Sequence, residues 1–188
     1  MLRGMTRAVP RIKPALAAGF LFAATSWLPA AADEVDDALA ALATAETGHE
    51  QIAERARKAW SRSGSDAMDY LLRRGREAIE AEDWPTAIEH LSALIDHAPD
   101  FAEGYNARAV AFFRAGQTGP ALADIERTLA LEPRNFDAMA GLGFVMLEIG
   151  DKSGALYAFR EAAKLNPGME AVNEALPELE TETGGRAL

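Results

Sequence analysis

The chain has 188 residues, no cysteine, and 29 acidic against 19 basic residues, which gives a net charge of −10. Without cysteine, disulfides, thiolate metal sites and iron–sulfur clusters are excluded. The acidic balance disfavours nucleic acid and anionic membrane surfaces as partners, because like charges repel over about a Debye length.

The first 32 residues have the pattern of a secretory signal peptide. Four basic residues and no acidic one accompany an apolar stretch from Ala15 to Leu28, which is followed by Pro29 and three alanines. As a helix this stretch would reach about 21 Å, short of a ~30 Å hydrocarbon core, so cleavage is favoured over a membrane anchor. We predict export to the periplasm with cleavage after Ala32. The mature chain would keep 15 basic and 29 acidic residues, a net charge of −14.

Residues 33–65 are predicted to form an N-terminal helical segment. Apolar residues recur at helical spacing over about residues 34–45 and 49–61, with a break at Thr47-Gly48. Ala41 and Ala53 fall at positions 8 and 20 of a unit extrapolated upstream from the repeats described next. We interpret the segment as a degenerate repeat, joined to the first clear repeat by the polar residues 61–65.

A 34-residue period organises residues 66–169. Pro99, Pro133 and Pro167 are 34 residues apart, and each follows a helical run. Small residues recur in the same register, and so does one bulky apolar residue; the columns are Gly75/Ala109/Gly143, Ala87/Ala121/Ala155 and Leu91/Ile125/Phe159. Such a period is typical of stacked helix pairs, in which small residues let the two helices approach at their crossing.

Three helix pairs are therefore predicted, in residues 66–101, 102–135 and 136–169. Their helices should cover about residues 67–81 and 85–97, 103–114 and 120–131, and 137–149 and 153–165. In the last segment, 170–188, a capping helix is predicted to run from about Met169 to Leu176 and to end at Pro177. Residues 181–188 are predicted to be disordered.

The pattern resembles the tetratricopeptide repeat (TPR) family, whose 34-residue unit has small residues at positions 8 and 20, a bulky one at 24 and proline at 32. The layout also resembles small exported TPR proteins of Gram-negative bacteria. The chain departs from the family at position 4, where Leu71, Tyr105 and Met139 replace a frequent tryptophan. The resemblance implies an all-α fold, a right-handed superhelical solenoid of three helix pairs with an N-terminal helical segment and a C-terminal capping helix.

No arrangement typical of catalysis, metal binding or cofactor binding occurs in the sequence. The three histidines, His49, His90 and His97, form no HExxH motif, and neither a G-x-S-x-G motif nor a phosphate-binding glycine loop is present. We therefore predict no enzyme activity, no cofactor and no metal.

The resemblance implies that the first helix of each pair lines a concave groove, with positions 2, 5, 9, 12 and 13 facing inward. The partner-binding residues predicted on this basis are Leu72, Arg76, Ile79, Asn106, Val110, Phe113, Ala140, Phe144 and Leu147. They form an apolar stripe edged by carboxylates, among them Glu103 and Asp137. Two alternatives stay open: some of these residues pack against neighbouring helices, or the N-terminal helices or the tail fill the groove.

One mode of binding is not expected. TPR domains that grip a C-terminal carboxylate resemble one another in basic residues and asparagines at five positions, which here hold Leu72, Arg76, Ala107, Asp137 and Gly141. Only Arg76 has the matching charge, and Asp137 has the opposite one.

Our first hypothesis is a non-enzymatic periplasmic adaptor that binds a segment of another protein, apolar with basic flanks, in the groove. The alternative is a structural subunit or homo-oligomer of a cell-envelope complex, assembled through end caps and convex faces. Nucleic acid and membrane insertion after signal cleavage are not expected.

Overall fold

The computed structural model describes residues 30–184, with side chains from residue 33 onward. Residues 1–29, which hold most of the predicted leader, and residues 185–188 lie outside this part. All regular secondary structure within it is helical, and it consists of α1 (Ala30–Thr44), α2 (His49–Trp60), α3 (Asp66–Glu80), α4 (Trp84–His97), α5 (Ala102–Arg114), α6 (Thr118–Leu131), α7 (Phe136–Glu148), α8 (Lys152–Leu165) and α9 (Glu170–Glu182).

The helices form pairs that pack in chain order. α3 packs on α4, α5 on α6 and α7 on α8, and successive pairs meet through α4 with α5 and α6 with α7. α5 also contacts both α3 and α7, so the first helices of the three pairs lie side by side along one face. This arrangement confirms the predicted all-α fold of stacked helix pairs.

Small residues stand where the helices of a pair cross. A Cβ atom added to Gly75 would lie 2.5 Å from Cγ of Leu91, and one added to Gly143 would collide with the ring of Phe159. Ala121 in the second pair is fully buried. Because no larger side chain fits at these crossings, the recurring small residues set how closely the two helices of each pair approach.

The turn within each pair has one residue in the left-handed conformation. That residue is Glu82 in the first pair (φ 58°), Gly116 in the second (φ 72°) and Gly150 in the third (φ 83°). The N–H of Asp83 donates to the carbonyl of Ala78, and equivalent bonds recur 34 and 68 residues later. These are Schellman-type endings, and glycine satisfies their backbone geometry without a Cβ penalty.

The N-terminal helices do not continue this stack. α1 and α2 pack on each other, but α2 does not pack along α3 as α4 packs along α5; the pair instead contacts the third repeat, with α1 against α8. Its apolar face is buried together with Phe136, the first residue of α7. The apolar residues of this segment are therefore buried against the third repeat rather than against the first pair.

The last helix is longer than the sequence indicates. α9 packs on α8, with Val172 and Leu179 buried, and it continues through Pro177 to Glu182. The predicted end at Pro177 and the predicted onset of disorder at Thr181 are therefore wrong. The exposed ring of Pro177 removes one helical hydrogen bond, but burial of Leu179 beyond it holds the last turn in place.

Candidate functional site

The second helix of the N-terminal pair covers the N-terminal end of α7. The ring of Trp60 lies 5.0 Å from that of Phe136, centroid to centroid, and Phe136 is completely buried. The guanidinium of Arg57 lies 5.3 Å from the same Phe136 ring and donates two hydrogen bonds to Asp137. Part of the predicted groove is thus filled by the chain itself.

Two of the carboxylates predicted to edge the groove, Asp137 and Glu103, form hydrogen bonds within the chain. Asp137 accepts from Nε of Arg57 at 2.8 Å and from Nη2 at 3.1 Å. Glu103 accepts from Nη2 of Arg76 at 2.5 Å and from Nδ2 of Asn106 at 3.1 Å. These two carboxylates are therefore paired with basic side chains of the same molecule rather than left free for a partner.

Glu103 is the more deeply buried of the two acids, with 7% of its surface exposed. Burial raises the pKa of Glu103 above its ordinary value of 4.5, while the ion pair and hydrogen bond from Arg76 act in the opposite direction. Arg76 also donates to Oγ of Ser61 at 2.9 Å, which ties α3 to the linker that follows α2. Arg76 is thus committed to contacts inside the molecule.

An open cleft of about 460 Å³ lies between α5 and α7, beyond the part covered by α2. Its walls are mostly apolar; it is lined by Asn106, Ala109, Val110, Phe113, Arg114, Ile125, Asp137, Ala140, Gly141, Phe144, Val145 and Met169. Val110 is 42% exposed and Phe144 37% exposed, although both are large apolar residues. Exposed apolar surface inside a concave site is a usual feature of interaction sites.

The structure divides the nine predicted groove residues into three groups. The residues that line the cleft are Asn106, Val110, Phe113, Ala140 and Phe144. Leu72 is 2% exposed and belongs to the core with Leu91, so it does not present its side chain to the groove. Ile79 and Leu147 pack against core clusters, and Arg76 is held by Glu103. Packing between neighbouring helices thus removes Leu72 from the open surface and partly buries Ile79 and Leu147, whereas the ion-paired Arg76 keeps 40% of its side chain exposed.

Sequence reasoning missed one residue of the site and left open which segment covers its other end. Met169, the last residue of the third predicted repeat, lines the cleft and packs against the core cluster that contains Ala140. The α1–α2 pair closes the other end through Arg57 and Trp60, although nothing in the local sequence pattern relates these residues to α7. Both features arise from contacts between residues far apart in the chain.

Metal binding and membrane spanning were also examined in the described part of the chain. No group of three or more His, Asp or Glu side chains is placed there to hold a metal ion. Among the same residues, none of the helices combines the length and apolar character that crossing a bilayer requires.

The tetratricopeptide repeat family model matches residues 72–119 and 115–170, together more than half of the chain. A TPR repeat-containing protein of Rhizobium etli is 31% identical over 134 residues, which are 71% of this chain and 66% of that protein. The human protein SGT1 homolog is 32% identical over 114 residues, 60% of this chain and 31% of that protein. The matched region therefore spans about two thirds of the first relative and less than a third of the second.

Two solved structures show the same fold. The TPR2B domain of yeast Sti1, in complex with pHsp70, has a TM-score of 0.58 and 22% identity, covering 63% of this chain and 99% of that one. The first TPR domain of Spaghetti (RPAP3), bound to an HSP90 peptide, has a TM-score of 0.61 and 18% identity, covering 64% of this chain and 95% of that one. At these identities the similarity establishes the fold alone.

Proposed function

Because the chain belongs to the tetratricopeptide repeat family, whose domains are protein–protein interaction modules, we propose that it is a non-enzymatic adaptor. Its ligand is a segment of another protein that lies in the cleft between α5 and α7. The observation that carries this proposal is the exposure of Val110 and Phe144 inside an otherwise closely packed concave face.

The surroundings of the cleft support an apolar contact. The rings of Phe144 and the buried Phe159 form a T-shaped pair with centroids 4.9 Å apart, so Phe144 is held by a core residue while it lines the cleft. A side chain held in this way loses little conformational entropy when it binds a ligand. The cleft therefore provides a pre-formed surface for one or two bulky apolar side chains.

The sequence-based expectation of basic flanks on the ligand loses part of its support. It depended on the net charge of −14 of the mature chain and on the acidic edges of the groove, but two of the edge carboxylates, Asp137 and Glu103, are paired with Arg57 and Arg76. A basic and an aromatic side chain already cover this end of the groove, and both, Arg57 and Trp60, belong to the chain's own α2. We therefore propose only that the ligand is apolar where it contacts the cleft.

Capture of a C-terminal carboxylate, as in the clamp-type TPR domains, is not part of the proposal. Leu72 and Ala107, which occupy two of the five clamp positions, are buried. Arg76 and Asp137, at two others, are paired with residues of the same chain. A carboxyl terminus would find no free basic residue at these positions.

We place the adaptor in the periplasm on the strength of the leader. Several residues with which α1 contacts the rest of the molecule follow Ala32, namely Asp36, Ala38 and Leu42. Cleavage after Ala32 would therefore leave these contacts in place. Mass spectrometry of the protein from fractionated cells tests this point: a chain that begins at Asp33 in the periplasmic fraction supports it, and an intact leader contradicts it.

The adaptor role is tested by crosslinking and then by titration. A photoreactive residue is placed at Val110, in the cleft, and at Tyr157, which is 53% exposed on α8 outside it. A protein captured from Val110 and not from Tyr157 is then purified and titrated against wild type, Val110→Asp and Phe144→Ser, with Tyr157→Ser as the matched control. We expect each cleft variant to weaken binding at least about tenfold, that is by 1.4 kcal/mol or more, and the control to bind as wild type does.

Circular dichroism and thermal unfolding show whether the variants keep the fold. Binding that survives both cleft substitutions contradicts the proposal that the partner binds in the cleft. Capture from Tyr157 alone, with concentration-dependent sedimentation of the purified protein, supports the structural subunit instead.

A further inference from the structure

The cleft between α5 and α7 carries an uncompensated positive charge. Of its lining residues only Asp137 and Arg114 are charged. Both oxygens of Asp137 accept from Arg57. Arg114 is exposed and forms no ion pair with the residues that the structure describes. Within the cleft, therefore, the acid is neutralised and the base is free.

The other arginine of α5, Arg108, is paired with an acid, in contrast to Arg114. Arg108 holds Asp124 with bonds of 2.7 and 2.9 Å and lies over aromatic rings. In a chain with 29 acidic residues, an arginine in a concave site without such a partner is the exception. An arginine guanidinium offers five N–H donors in a planar fork that matches a carboxylate.

The positions of the two charged residues along the cleft decide which of them a ligand would meet. Arg114 ends α5, whereas Asp137 lies near the start of α7, so the two charges mark opposite ends of the cleft. α2 covers the Asp137 end through Arg57 and Trp60. Val110 precedes Arg114 by one helical turn and lies on the same face of the helix. A ligand that enters at the uncovered end would meet the guanidinium beside the exposed apolar surface.

From this arrangement we infer that the cleft selects a short segment of another protein in which an aspartate or glutamate lies beside one or two bulky apolar residues. The apolar side chains contact Val110 and Phe144, and the carboxylate accepts from the guanidinium of Arg114. This inference rests on the proposed function of the cleft, and it gives the ligand an acidic residue where the sequence led us to expect basic ones. The acidic residues of the chain as a whole count less here, because charges more than about 8 Å away are largely screened at physiological salt and Asp137, the acid that lines the cleft, is paired with Arg57.

Selection from random peptides tests the inference directly, because it does not require an identified partner. Random nonapeptides displayed on phage are selected against the purified full-length protein and against Arg114→Glu. Arg74→Glu is the matched control, since it changes the net charge equally on α3, outside the cleft lining. Val110→Asp shows which peptides depend on the cleft. The selected peptides are then synthesised with both ends capped, so that only side chains carry charge, and their dissociation constants are measured.

We expect wild type and Arg74→Glu to enrich peptides with Asp or Glu within two residues of Phe, Leu or Trp. Arg114→Glu should weaken binding of these peptides about tenfold or more and enrich Lys or Arg in place of the acid. Enrichment of basic peptides by wild type overturns the inference, and so does an equal loss of affinity in Arg114→Glu and Arg74→Glu.

The experiment separates this inference from the proposed function. The selection could yield apolar peptides without charge preference whose binding is abolished by Val110→Asp. That result would support the cleft as the binding site and contradict only the role of Arg114. Selection that yields the same peptides from wild type and Val110→Asp would remove both.

Discussion

The guanidinium of Arg57 in α2 donates two hydrogen bonds, of 2.8 and 3.1 Å, to the carboxylate of Asp137 in α7, 80 residues further along the chain. Asp137 raises the pKa of Arg57 through these bonds, and this effect outweighs the lowering of the pKa that burial of Arg57 causes. Together with Trp60 and Phe136, the pair fastens the N-terminal helices across one end of the concave face. The same contact that stabilises the fold therefore limits where a ligand can lie.

A double-mutant cycle measures how strongly this ion pair holds the N-terminal helices. With Arg57→Ala and Asp137→Ala, we expect a coupling of about 1–2 kcal/mol in the free energy of unfolding, because the bonds are charge-assisted, bidentate and partly shielded from water. Urea unfolding followed by tryptophan fluorescence provides the measurement. The pair Arg74–Glu77, exposed and three residues apart on one helix, serves as the control and should couple by at most about 0.5 kcal/mol. Equal coupling in the two cycles would contradict a fastening role.

The crossing of α7 and α8 predicts opposite effects for two Gly→Ala changes. At Gly143 the added methyl group meets the ring of Phe159, so we expect a loss of about 1–3 kcal/mol from overpacking. At Gly141, two residues earlier in the same helix, the methyl group comes no closer than 3.5 Å to Ile125, an ordinary contact, so stability should stay the same or rise by up to about 1 kcal/mol. Midpoints of urea unfolding compare the two variants. A Gly143→Ala protein as stable as wild type would mean that the helices do not cross at this residue.

The first repeat should gain stability from the glycine that the other two repeats already have. Glu82 has φ 58° at the place where Gly116 and Gly150 stand, and its side chain is exposed. Left-handed backbone costs a residue with a Cβ roughly 1–2 kcal/mol, part of which the greater entropy loss of glycine on folding offsets. We expect Glu82→Gly to raise the free energy of unfolding by about 0.5–1 kcal/mol and Gly116→Ala to lower it, as thermal unfolding will show. Changes of the same sign in both variants would rule out this explanation.

Burial of Glu103 predicts a distinct dependence of stability on pH. Its pKa is raised above 4.5, so between 4.5 and the raised value the folded state binds the proton more tightly than the unfolded state. The contribution of Glu103 to the free energy of unfolding therefore falls as pH rises through that interval and is constant above it.

Glu103→Gln removes this contribution. The stability of the variant relative to wild type should accordingly increase from about pH 4.5 upward and then level off. Urea unfolding of both proteins between pH 4 and pH 8 gives the difference. A difference that does not change with pH, or that shrinks as pH rises, is incompatible with a raised pKa at Glu103.

Local pattern was enough to predict the repeats. The 34-residue spacing of prolines and small residues placed the six helices of the three pairs to within two residues of their ends, because crossing and capping depend on residues close in sequence. It also identified Val110, Phe113 and Phe144 as neighbours on adjacent first helices.

Other features of the candidate site could not be read from that pattern. An amphipathic helix pair must bury its apolar face, but its sequence does not say on which surface. α1 and α2 pack on the third repeat, where Phe136 and Asp137 match Trp60 and Arg57. The prediction for Pro177 failed for a related reason, since burial of Leu179 outweighs the lost helical hydrogen bond.

The amino-acid sequence by itself determined the repeat length and the helix pairs, since both depend on contacts within about one repeat, and the family resemblance that it carries implied the face on which a groove would form. Only the tertiary structure decided which groove residues stay open and which charge remains unpaired there. Arg57 reaches Asp137 across 80 residues and Arg134 reaches Asp36 across 98, and the energies of such long-range contacts depend on how separate elements meet in space. The free guanidinium of Arg114 beside Val110 is a result of those contacts.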